Sequence, residues 1–204
     1  MYHDARREPR SRYGYTQNEE EKYIVQHARG TRFLDIGAYD GETLSSTREL
    51  VNRGWSGVYV EPNPIVMDKL KKVASFSNSD VVPVAVGTSC GTMPFYVTDD
   101  MLSSLDKNHT EKWEKSCNVV FNTIDVDVID IHTLAQRIGY HYDFLNLDVE
   151  GINWEVFQQF DWGKWKFNTV CIEYDNKLVE IQQVLESAGF RLVYISPENI
   201  VATR

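Results

Sequence analysis

A chain of 204 residues with 42% hydrophobic and 25% charged side chains has globular composition and is long enough to bury one full core. Thirty acids against 21 bases leave a formal net charge of −9, which argues against a broad polyphosphate-binding surface. No run approaches the ~20 apolar residues of a membrane span, no apolar signal core opens the chain, and Cys90, Cys117 and Cys171 lack disulfide or metal spacing. A cytoplasmic protein with reduced thiols and no membrane association is expected.

Residues 1–15, with the basic stretch Arg6 to Arg12, read as a flexible tail. From residue 16 onward strand-like and helix-like segments alternate. RFLDIGAY (32–39) reads as a buried strand, and GETLSSTRELVNRG (41–54) as a helix with Leu44, Thr47 and Val51 on one face, stopped at Gly54. SGVYVEP (56–62) is the second strand, NPIVMDKLKKVAS (63–75) a helix with Pro64 near its first turn, and DVVPVAVG (80–87) the third strand. This βαβαβ order predicts a right-handed parallel sheet covered by helices.

GTMPFYVT (91–98) and SCNVVFNTIDVDVI (116–129) then read as antiparallel strands, with the polar stretch Asp99 to Ser116 between them as loop. A long polar segment inside one domain suggests a lid-like insertion near 99–118. The alternation resumes with DIHTLAQRIG (helix), YDFLNLDVEG (strand), NWEVFQQF (helix), NTVCIEYD (strand) and KLVEIQQVLESAG (helix). FRLVYIS and NIVATR close the chain as a strand pair. The aromatics of NWEVFQQFDWGKWKF read as core, and Trp113 in the polar stretch as a platform for a ligand ring.

Open parallel sheets bind ligands at the carboxyl ends of their strands. Asp35, Glu61, Asp148, Glu150, Glu173 and Asp175 all fall there. A dinucleotide fingerprint needs G-x-G-x-x-G to receive a pyrophosphate, whereas FLDIGAYDGETL offers D-x-G-x-x-x-G with acids at Asp35 and Asp40. The loop disfavours a pyrophosphate, and with it a nicotinamide dehydrogenase, and favours a cationic ligand. Glu61, ending the next strand, can accept both hydroxyls of a ribose. A cation joined to a ribose describes S-adenosylmethionine.

FLDIGAYDGETLSSTRELVNRGWSGVYVEPNP, YDFLNLDVEG and NTVCIEYD, in this order, resemble the FkbM-type methyltransferases, and TQNEEEKYI and LESAGFRLVYISPENIVATR resemble that family's flanks. The resemblance implies a single Rossmann-like class I methyltransferase domain over 16–204, with a mostly parallel central sheet, flanking helices and an antiparallel C-terminal strand. It also implies S-adenosylmethionine as methyl donor and a hydroxyl acceptor on a sugar, glycan or other small polyhydroxylated molecule. Carried onto this sequence, it assigns Asp35, Gly37, Ala38, Tyr39 and Gly41 to the methionine part of the cofactor, Glu61, Pro62 and Asn63 to its ribose and adenosine, and Ala85 and Val86 to the adenine. Asn146 and Asn153 depart from the family pattern, which bears on the acceptor.

Methyl transfer to oxygen needs an aligned hydroxyl, a water-poor site and a group that takes a proton. Asp148 or Glu150 is the expected base or acceptor clamp, with Glu173 completing the polar floor and His109 reaching in from the insertion. The acids permit a divalent metal, but cofactor binding gathers them at this edge as well, so none is assigned. His132 and His141 fall near the sheet's other edge and are read as structural. An RNA or nucleotide methyltransferase and a non-catalytic cofactor-binding module are the alternative readings; the acidic chain weighs against the first, while the basic N-terminal stretch leaves it a route.

Overall fold

The computed structural model describes residues 14–204, so the basic stretch Arg6 to Arg12 lies outside the described residues. The first helix, α1 (Glu20–His27), buries Ile24 and also Glu21, whose carboxylate accepts the backbone N–H groups of Tyr15 and Thr16 at 3.2 and 3.1 Å. Strand β1 (Arg32–Ile36) follows. The expected helix over 41–54 shrinks to α2 (Arg48–Asn52). Asp40 accepts the N–H groups of Glu42 and Thr43, Leu44 takes a φ of 50°, and Thr47 turns its hydroxyl to Asp35. Side chains that bond locally in this way compete with a helix.

Strand β2 (Ser56–Val60) and helix α3 (Met67–Ser77) match their expected positions. The expected third strand divides at Pro83 into β3 (Asp80–Val82) and β4 (Ala85–Val86), because proline has no N–H to continue a ladder. Strand β5 (Gly91–Val97) leads to a helix where loop is expected, α4 (Lys107–Cys117), and then to β6 (Asn122–Ile129). The Asp106 carboxylate caps α4 by accepting the Asn108 N–H at 2.9 Å. The rest runs as expected: α5 (Ile131–Ile138), β7 (Phe144–Leu147), α6 (Asn153–Phe157), β8 (Thr169–Glu173), α7 (Leu178–Ser187), β9 (Arg191–Ile195) and β10 (Asn199–Thr203).

Seven strands form the central sheet in the order β3-β2-β1-β7-β8-β10-β9. β1 pairs in parallel with both β2 and β7, and β10 is antiparallel to β8 and β9. Alternate residues of each strand feed opposite faces. Leu34, Ile36, Leu145 and Ile172 join a core with α5, α6, α7 and the aromatics Phe157, Phe160, Trp165 and Phe167. Phe33, Tyr59, Phe144 and Cys171 join one with α1, α2 and α3. The β4 segment leaves the central sheet for a small second one, β4-β6-β5. Strand order reverses beside β1, between β2 and β7, where such sheets leave a crevice at their carboxyl ends.

This is a Rossmann-like α/β architecture with a mostly parallel sheet and one antiparallel C-terminal strand. Among the described residues no helix is long and apolar enough to cross a membrane.

Candidate active site

At that crevice lies a cleft of about 540 Å³. Every site residue expected from the sequence lines it except Gly41 and His109. A wider, shallow hollow of about 840 Å³ beside Trp162, Lys166 and Arg204 contains none of the candidate acids.

Asp35 sits at the end of β1, 1% exposed, in register with Asn146 of β7. The Asn146 amide donates to one of its oxygens at 2.9 Å and the Thr47 hydroxyl to the other at 2.6 Å. Burial, partly offset by these donors, pushes Asp35 up to about 6. The strand then turns through Gly37, whose N–H donates to the Val60 carbonyl and whose φ is +82°. A Cβ there would run into the carbonyl oxygen of Asp148.

Tyr39 and Asn63 each donate a backbone N–H to one oxygen of Glu61, both at 2.8 Å, which fixes that carboxylate at the end of β2. Burial pushes Glu61 up to about 7. Asn63 is wholly buried; its amide donates to the Thr98 carbonyl and the Ser103 hydroxyl, tying this loop to the segment after β5. Asp40 differs from its expected role. It does not line the cleft and instead accepts Lys69 Nζ at 2.6 Å. Burial opposes its ionisation, but Lys69 and Thr43 outweigh burial and hold it below the usual range.

The other half of the cleft is floored by acids. Asp148, Glu150 and Glu173 place one oxygen each within 4.8 Å of one another, the group among the described residues that could hold a metal ion. Burial, then the Glu150 carboxylate, pushes Asp148 up to about 8, and burial with Asp148 beside it raises Glu173 well above its usual range. Asp148 and Glu173, this close together, cannot both ionise at neutral pH, and a proton stays between them.

Asn153, which the sequence marks only as a departure, is wholly buried at the start of α6 and bonds to this floor. Ser104 Oγ donates to the Glu150 carbonyl at 2.5 Å. His109 lies behind Glu150, its Nε2 3.1 Å from a Glu150 oxygen and 2.9 Å from the donating Nε1 of Trp113. One nitrogen cannot both accept from the indole and donate to the carboxylate, so the ring's tautomer selects the contact. Trp113 itself lines the cleft.

The model of the methyltransferase FkbM domain matches residues 35–192. The chain belongs to that family. It is an S-adenosylmethionine-dependent methyltransferase, and membership implies that cofactor as methyl donor. A search of curated proteins finds no match. Among solved structures the FkbM chain is similar to a Methanococcus jannaschii fibrillarin pre-rRNA processing protein at 16% identity and TM-score 0.42, covering 86% of this chain and 67% of that one. It is also similar to precorrin-6y C5,15-methyltransferase from Geobacter metallireducens GS-15 (14%, TM-score 0.43, 90% and 85% covered). A human methyltransferase 10 domain containing protein matches at 11% and TM-score 0.43, with 90% and 78% covered.

The buried acids of this FkbM domain make its stability depend on pH. Asp35, Glu61 and Asp148 are raised to about 6, 7 and 8 from ordinary values of 3.8, 4.5 and 3.8. Between about pH 4 and pH 8 the folded chain therefore binds more protons than the unfolded chain, and stability falls as pH rises. Asp40 acts oppositely and adds stability that is lost only below its ordinary range. The thermal unfolding midpoint is expected to be higher at about pH 5.5 than at about pH 8.5, read by scanning fluorimetry. A midpoint that climbs across this interval contradicts the buried-acid account.

Proposed function

We propose that this FkbM methyltransferase moves the methyl group of S-adenosylmethionine onto a hydroxyl of a sugar, glycan or other small polyhydroxylated acceptor. The observation that carries this reading is the lining of the cleft. Among the described residues it presents carboxylates from Glu20 to Glu198 and no lysine, arginine or histidine. A nucleic-acid acceptor brings phosphates that such a wall repels, whereas sugar hydroxyls donate readily to carboxylates.

The residues present fit the cofactor. Each Glu61 oxygen accepts one backbone N–H and keeps accepting capacity for a ribose hydroxyl, and Ala85 and Val86 give the adjoining wall an apolar surface. When bound, S-adenosylmethionine supplies a methyl already activated by its sulfonium. The chain must then hold the acceptor hydroxyl in line, exclude water and take its proton. Asp148 is suited to that proton because its affinity lies near neutrality, and Glu173 beside it can share the charge. The segment 99–118 serves in this reading as cover, since Ser104 and His109 bring it against Glu150.

The binding half is tested by calorimetry with S-adenosylhomocysteine, with NAD⁺ as control. Glu61→Ala is expected to weaken S-adenosylhomocysteine binding by at least about tenfold, since hydrogen bonds to a charged group contribute about 1.5–3 kcal/mol each. Unchanged affinity in folded variant would take Glu61 out of the cofactor site. The acceptor half is tested by transfer of tritiated methyl from S-adenosylmethionine into a neutral oligosaccharide, a nucleoside and an RNA hairpin. Label in the oligosaccharide supports the proposal. Label confined to RNA or the nucleoside replaces it with nucleic-acid methylation, and tight binding with no transfer to any acceptor leaves a non-catalytic module.

A further inference from the structure

Asn153 is the first residue of α6 and has no exposed surface. A polar residue at a helix start commonly caps its own helix, but the α6 N-terminus has no side-chain cap bond. The Asn153 carbonyl oxygen instead accepts the backbone N–H of Val149 at 2.8 Å, inside the Asp148–Gly151 loop. Its amide nitrogen donates to Glu173 Oε2 at 2.6 Å and to Asp175 Oδ2 at 3.2 Å. One side chain therefore joins the loop after β7 to the acid that ends β8 and to the one just beyond it.

We infer that Asn153 is a positioning residue for proton removal: it seats the Asp148 loop through Val149 and turns Glu173 toward Asp148 across the cleft floor. The chemistry selects asparagine. A carboxyl oxygen could hold the Val149 N–H, but only an amide also supplies two N–H donors for two carboxylates. An aspartate would lose both donors and add a negative charge to a site that already holds Asp148, Glu150, Glu173 and Asp175. The role rests on the proposed proton acceptance by Asp148.

The groups that face this pair are Asp35 at the end of β1, Glu150 in the loop and Asp175 after β8, with His109 of α4 standing behind Glu150. Removing the amide leaves Asp35, Glu150 and His109 as they are and takes from Asp175 the donor it shares with Glu173. Donors to a carboxylate favour its ionised form, so deleting them raises proton affinity.

The test is ¹³C carboxyl NMR titration of the aspartate- and glutamate-labelled full chain, assigned through Asp148→Asn and Glu173→Gln. It is run on the parent, Asn153→Ala and Asn153→Ser, with S-adenosylhomocysteine affinity measured alongside. The upper apparent pKa of the Asp148 and Glu173 pair is expected to rise by about one unit in both variants. Cofactor-product affinity is expected to stay within about threefold. An unshifted titration in folded variants overturns the inference and leaves Asn153 as a loop tie. Failure of both variants to fold overturns it too, because the amide is then a folding group. If the parent itself does not bind S-adenosylhomocysteine, the cofactor reading fails while the titration still judges Asn153.

Discussion

Asp148→Asn is expected to lower methyl transfer at least about a hundredfold, the lower end of what a positioned general base contributes, while S-adenosylhomocysteine affinity stays within about threefold. The substitution keeps the side chain's size and its capacity to accept a hydrogen bond. It removes the ability to take a proton, which is the property the site has tuned by burial and by the Glu150 carboxylate. The part of Asp148 that braces the turn after β1 is its backbone carbonyl against Gly37 and its N–H to the Ile36 carbonyl, and neither is touched. A loss confined to turnover therefore reports on chemistry rather than on the loop. With the acceptor returned by the tritium screen, the parent's rate should climb as pH rises through about 8, where Asp148 gives up its proton. The variant's residual rate should lack that rise. Turnover equal to the parent's removes Asp148 from proton removal and shifts the question to Glu150, which lines the same cleft.

Much of this arrangement is legible in the residues, and its limits have physical causes. The apolar runs at Phe33, Val58, Phe144 and Val170 announce buried strands because both faces of the sheet are covered. Acids at the ends of these runs then fall together by topology alone, which is why Asp35, Glu61, Asp148, Glu150 and Glu173 could be grouped before any fold was known. Helix α4 is less legible: over Lys107–Cys117 only Thr110 is buried, so the segment carries little of the apolar stripe that marks a helix. The helix expected over 41–54 fails for the opposite reason, since its apolar spacing is real but Asp40 and Thr47 spend their hydrogen bonds elsewhere.

Partnerships across elements leave even less trace. Asn146 meets Asp35 because two strands lie in register, and Asn153 meets Glu173 across 20 residues of chain. Neither pairing has a periodicity. The one available signal is the departure from the family pattern that the sequence reading expects at both asparagines, which marks a position as unusual without saying what it touches.

Gly37→Ala should do more damage than its single methyl suggests, and Gly54→Ala provides the comparison that isolates why. The two glycines have nearly the same backbone, φ +82° and +85°, so an alanine at either meets the left-handed penalty of roughly 1–2 kcal/mol. At Gly54 nothing lies within 4 Å of the added carbon, and that penalty is the whole effect, about 2–4 °C per kcal/mol in unfolding midpoint for a chain of this size. At Gly37 the added carbon meets the Asp148 carbonyl oxygen. Backbone cannot rotate aside like a side chain, so the ends of β1 and β7 must part. The hydrogen bonds from Gly37 to Val60 and from Asp148 to Ile36 are strained together, and overpacking of this kind adds roughly 1–3 kcal/mol. A fall of roughly 10 °C is expected for Gly37→Ala, with S-adenosylhomocysteine binding lost below the unfolding temperature, against a fall of a few degrees and intact binding for Gly54→Ala. Equal falls with binding retained in both would mean that the close approach of the Gly37 and Asp148 backbones does not hold the site together.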